Sequence, residues 1–99
     1  MPYRIVYAEE ISSHIRALTA RQKAIVFDAI NQQLSYEPAV ETRNRKSLRP
    51  NELASWELRV GDMRVYYDVQ DDPEQHVNVA AIGIKVRNRV LIAGRLYDL

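Results

Sequence analysis

The chain contains no cysteine, which excludes disulfides, thiolate nucleophiles and cysteine-ligated zinc together. Its two histidines, His14 and His76, are too few for a histidine metal site, and neither a metal nor a cofactor is expected. The three glycines, Gly61, Gly83 and Gly94, stand far apart, so no glycine loop cradles a phosphate. HExxH and GxSxG are missing as well. The longest apolar runs, such as residues 79–84, fall far short of the roughly 20 residues that cross a bilayer. No basic-then-apolar leader opens the sequence, and the expectation is a cytoplasmic protein with no membrane contact.

What is present is ordinary for a globular protein. At 99 residues, 46% hydrophobic and 27% charged, the chain is expected to form a single domain over residues 1–99 with one core. The net charge of +1 conceals patches. Arg43, Arg45, Lys46 and Arg49 form a basic run with no acid between them, and Lys85, Arg87, Arg89 and Arg95 form a second. Asp68, Asp71, Asp72 and Glu74 lie between the two. Two positive patches suit phosphate, whereas the near-neutral whole does not coat nucleic acid unaided.

Residues 3–7 (Tyr-Arg-Ile-Val-Tyr) read as a strand. Ile11, Ile15 and Leu18 then fall on one face of a short helix, with Glu9 and Glu10 at its positive end. Thr19 and Gln22 have the spacing of a capping box that opens a second helix, whose stripe is Val26, Phe27, Ile30 and Leu34 and which Pro38 ends. Residues 37–53 have no period and read as a basic loop. Trp56, Leu58 and Val60 alternate with Ser55, Glu57 and Arg59, and Met63, Val65, Tyr67 and Val69 alternate with Arg64, Tyr66 and Asp68. Gly61-Asp62 between them suits a two-residue II′ hairpin. Residues 70–75 are a turn by composition, 76–84 a strand buried on both faces, and 90–92 a last strand before a tail ending Tyr97-Asp98-Leu99. The order predicts an α+β fold: an N-terminal strand and an antiparallel helical hairpin packed on a mainly antiparallel sheet of four to five strands.

Across a two-residue turn Arg59 faces Arg64 and Glu57 faces Tyr66, which places Ser55, Glu57, Arg59, Arg64 and Tyr66 on the face away from the core. Two opposed guanidinium groups repel and need an anion between them. Glu57 or Asp62 can supply it, and so can a phosphodiester whose transition-state charge the arginines would stabilise. Arg43, Arg45, Lys46, Arg49, Lys85, Arg87 and Arg89 can extend that surface along a backbone. Tyr66 can stack on a base or pack over the arginine stems. The acidic turn matches no calcium loop and reads as solvated. His14 reads as a surface residue, and His76, at a strand start beside that turn, is an acid–base candidate.

Residues 56–69 (Trp-Glu-Leu-Arg-Val-Gly-Asp-Met-Arg-Val-Tyr-Tyr-Asp-Val), preceded by Lys46-Ser47-Leu48, resemble the RelE/ParE superfamily of bacterial type II toxins. That family carries a K-x-L loop, a strand ending L-R-x-G and a strand reading R-hydrophobic-x-Tyr. Residues 79–85, with Tyr97 near the end, are similar to its closing strand and tail. The resemblance spans essentially the whole chain and implies a toxin neutralised by a partner antitoxin. In its ribosome-dependent branch the toxin cuts mRNA in the ribosomal A site by attack of a ribose 2′-hydroxyl on its own phosphate. Arg64 matches the arginine that contacts the scissile phosphate there, and Lys85 stands where the family often has another arginine. The resemblance thus implies Arg64, Arg59 and Lys85 as catalytic, and Arg43, Arg45, Lys46, Arg49, Tyr66, Arg87 and Arg89 as RNA-binding. Ser55 and Glu57 stand where the nucleases carry lysines, and Leu91 falls near their C-terminal tyrosine. Those departures leave open a ParE-like toxin that poisons DNA gyrase by protein contact, and an inactive regulator of the toxin fold.

Overall fold

The computed structural model describes residues 2–99; Met1, and with it the first residue of the expected domain, lies outside them. Strand β1 (Arg4–Tyr7) leads into α1 (Ile11–His14), which tightens into a 3₁₀ turn over Ile15–Ala17, and then into α2 (Ala20–Leu34). The capping box at the start of α2 forms in full. The Thr19 hydroxyl accepts from the Gln22 amide at 3.1 Å, and the Gln22 side chain accepts from the Thr19 amide at 2.9 Å. Six further strands follow: β2 (Arg45–Ser47), β3 (Trp56–Val60), β4 (Met63–Gln70), β5 (His76–Val86), β6 (Arg89–Ile92) and β7 (Arg95–Tyr97). They pair in the order β2-β3-β4-β5-β6-β7, all antiparallel, and β1 adds to β5 in parallel. No helix among the described residues is long and apolar enough to cross a membrane.

The sheet therefore has seven strands among the described residues, not four to five. The two unexpected ones are three-residue edges, too short to show a period. Within the expected loop, β2 is made by its neighbour: Lys46 pairs with Glu57 and Ser47 with Trp56. Its outer rim is closed locally, where Thr42 donates to the Arg45 carbonyl and the Glu41 carboxylate accepts from Ser47. An edge blunted in this way does not recruit another strand. The expected tail is β7, joined to β6 by a tight turn at Ala93 and Gly94, both with positive φ.

Two apolar clusters lie on opposite faces of the sheet. The larger joins the helices, through Ile11, Leu18, Val26, Ile30 and Leu34, to Leu58, Met63, Val65, Tyr67, Val77, Val79 and Ile82. The smaller, on the far face, consists of Tyr66, Ala81, Val90 and Ile92 under Leu48, Leu53, Ala54 and Tyr97. A bulge explains how β5 serves both. Tyr66 pairs with Ala81 but Tyr67 with Val79, so Ala80 is an extra residue. Before it Val77 and Val79 face the helices; after it Ile82 does, and Ala81 turns to the far cluster.

Gly83, opposite Arg64, lies close against β6. A Cβ there would lie 2.6 Å from the Leu91 carbonyl oxygen and from Ile92 Cγ1, and 2.8 Å from Val90 Cγ1. Backbone on one side and buried side chains on the other leave no direction for relief. Gly83→Ala should therefore lower stability by about 1–3 kcal/mol, the usual cost of overpacking. A urea titration checks this, with Ala80→Gly at the bulge as a control for altered strand propensity.

Candidate phosphate-binding cleft

The hairpin β3–β4 has the register that its sequence dictates: Val60 opposite Met63, Arg59 opposite Arg64 and Glu57 opposite Tyr66. Gly61 has φ +58, which glycine adopts without strain at the first central position of a II′ turn. On the face away from the helices this hairpin floors an open cleft of about 760 Å³. Glu57, Arg59, Arg64 and Lys85 form the base, residues 47–51 one wall, and Asn88, Arg89, Val90, Asp98 and Leu99 the other.

The anion that the arginine pair requires is Glu57. Its Oε2 accepts from Arg59 Nε at 3.3 Å, its Oε1 lies 3.8 Å from Arg64 Nε, and the Tyr66 hydroxyl donates to Oε1 at 3.1 Å. Arg64 is further pinned through Nη1, which donates to the Gly61 carbonyl at 2.7 Å and the Met63 carbonyl at 2.9 Å. Its Nη2 has no protein partner among the described residues. Since none of their buried side-chain nitrogens or oxygens lacks a hydrogen bond, Nη2 reaches solvent. A fixed guanidinium with one open edge is a preorganised donor for an anion.

Tyr66 is not on an open face. It is fully buried in the far cluster, so of its two expected roles stacking on a base is closed to it. Burial pushes its hydroxyl well above the ordinary tyrosine range, and the Glu57 charge and hydrogen bond push it further, against the opposing pull of Arg64 and Arg59. At neutral pH it donates to Glu57 and cannot act as a base. Tyr67, on the helix side, donates to the Pro38 carbonyl at 2.7 Å and is raised by burial too.

The expected RNA-binding residues divide. Arg49 and Arg89 line the cleft, Arg89 held by Asp98 at 3.1 Å. Arg49 and Lys85 have no carboxylate partner among the described residues, and both side chains are exposed. Arg45 points elsewhere: Nη1 donates to the Gln33 carbonyl at 2.8 Å and Nε to the Val40 carbonyl at 3.0 Å. It thereby closes the end of α2, whose last carbonyls lack helical partners. Arg43, Lys46 and Arg87 do not line the cleft. Arg87 sits at positive φ in the β5–β6 turn, and Arg95 lies 4.8 Å over the Tyr97 ring. Ser47, Asn51, Asn88 and Asp98, none given a site role from the sequence, complete the polar part of the lining.

Neither histidine is in the cleft. His14, expected at the surface, is half-buried against β5, where its Nδ1 accepts from the Ile82 amide at 3.3 Å. Burial lowers its pKa, with Glu10 opposing. His76 Nδ1 bonds the Glu74 carbonyl at 3.0 Å, a local turn contact.

Tyr66 and Tyr67 bind their protons more tightly folded than unfolded. That contribution to stability is fully present below pH 10, the unfolded value, and is lost as pH rises from there toward the folded values. Urea midpoints at pH 8, 10 and 11 should fall across this range, and Tyr66→Phe should fall less steeply above pH 10 than wild type.

No protein-family model matches the chain, and no curated protein does. Among solved structures, a chain of the RelBE2 toxin–antitoxin complex from Mycobacterium tuberculosis aligns with 86% of this chain and 100% of its own, at TM-score 0.69 and 22% identity. With an N-terminal strand, two helical segments on one face and a mostly antiparallel sheet, the chain shares the fold of that neighbour, a RelE-like fold.

Proposed function

We propose that this protein is the toxin of a toxin–antitoxin pair and that it inhibits translation by cutting mRNA on the ribosome. One observation carries the reading: Arg49, Arg59, Arg64, Lys85 and Arg89 line a single cleft against only Glu57 and Asp98. Such a groove suits a phosphate backbone. In the reaction the ribose 2′-oxygen forms a bond to the adjacent phosphorus as its proton departs. The bond from phosphorus to the 5′-oxygen breaks, and that oxygen takes up a proton. Negative charge grows on the phosphoryl oxygens, where the Arg64 Nη2 edge and the Lys85 ammonium would stabilise it. Arg49 and Arg89 hold flanking phosphates. The cognate antitoxin would cover this cleft with acidic or apolar segments, and its binding would raise the toxin's stability by mass action.

A second reading has its own support. Glu57 already engages Arg59, Arg64 and Tyr66, which leaves no free carboxylate or imidazole among the described residues of the cleft floor to act as a base. A ParE-like toxin that poisons DNA gyrase by protein contact needs none, and neither does an inactive regulator of the same fold.

Primer extension on a defined mRNA in a purified translation system separates these. New 5′ ends should appear only with ribosomes. Lys85→Ala, which removes no side-chain hydrogen bond or ion pair among the described residues, should reduce them about 10- to 100-fold. Arg64→Ala should reduce them about 100-fold or more, the loss typical for one transition-state donor. Intact mRNA with wild-type protein, together with arrest of growth on induction, would favour the gyrase reading; absence of arrest would favour the regulator.

A further inference from the structure

Like charges directly opposite on a hairpin destabilise it, and Arg59 and Arg64 are such a pair. Glu57 lies two residues along β3 from Arg59, its side chain only 11% exposed, and receives both guanidinium groups and the Tyr66 hydroxyl. Two guanidinium groups around one oxyanion form the arrangement that binds phosphate. Here a carboxylate of the chain itself occupies it.

We infer that Glu57 is the resident anion of a phosphate seat: in the free protein it neutralises Arg59 and Arg64, and an incoming phosphate must displace it from them. The geometry allows the exchange. The Arg59 side chain is 48% exposed and can turn from Glu57 toward the cleft. Arg64 stays in place on the Gly61 and Met63 carbonyls, and Glu57, drawn back from it, keeps the Tyr66 hydroxyl as a donor. Lys85, on the same floor and without a carboxylate partner among the described residues, offers a second cation to the arriving phosphate. The charge of Glu57 remains beside the seat, so free phosphate binds weakly and a longer polyanion held at several points binds better. The inference rests on the RNA reading only for the identity of the natural anion.

The test is a titration of ¹⁵N-labelled protein with pyrophosphate, following the Arg59 and Arg64 Nε–H signals. Glu57→Gln keeps the oxygen that Tyr66 bonds and removes the charge. It should bind pyrophosphate at least about tenfold more tightly than wild type, with both arginine signals moving. Glu57→Asp, which draws the carboxylate back by one methylene, should fall between the two and carries the test if Glu57→Gln does not fold. Equal affinities in wild type and variants, or no binding in any, would overturn the inference. Tighter pyrophosphate binding by Glu57→Gln with mRNA uncut on the ribosome would leave the seat standing and remove the nuclease reading.

Discussion

The far face of the sheet depends on one carboxylate held by two arginines and a tyrosine. Without Glu57 the β3–β4 hairpin would set Arg59 against Arg64 with nothing between them, and the buried Tyr66 hydroxyl would lose its partner. Removing one member of a buried ionic group typically costs about 3–5 kcal/mol, whereas replacing the whole group with apolar side chains is often neutral or stabilising. Such a network is thus a weak device for stability. Its presence on the floor of a basic cleft is better understood as a means of keeping two cations fixed and close together.

Rigidity of that floor comes from beneath it. Arg64 is carried on β4 between β3 and the long β5, with Val65 and Tyr67 fully buried on the helix side and Tyr66 fully buried on the other. The bulge at Ala80 lets one strand serve both clusters, and the absence of a side chain at Gly83 lets β6 close over the far one. Each device removes freedom from the hairpin. The walls of the cleft differ: residues 47–51 and 88–90 are loop and strand-end segments with mostly exposed side chains, able to adapt to a ligand.

Local signals in the sequence were faithful where the cause was local. A threonine three residues before a glutamine capped α2, and a glycine between two alternating runs set the hairpin register to the residue. The arginine pair follows from that register alone, whereas the sequence leaves both Glu57 and Asp62 open as its anion and the side-chain geometry singles out Glu57. What the sequence hid was assembled from a distance. Tyr66 is buried because Leu48, Leu53, Ala54 and Tyr97 cover it, and alternation tells which face a side chain takes but not whether that face is covered. The unbroken apolar run of β5 did carry the signal, since a strand buried on both faces requires a second covered face. Arg45 belongs to a charge run by sequence and to the end of α2 by structure, because the carbonyls it serves lie twelve residues away at Gln33.

The claim at the centre of this account is that the basic cleft holds a nucleic-acid backbone. Amide chemical-shift mapping with a short single-stranded RNA tests it most directly. The largest shifts should fall at residues 47–49, 51, 64, 85 and 88–90, fading as salt is raised. Shifts confined to α2 and the residues that follow it, or none at millimolar RNA, would contradict it.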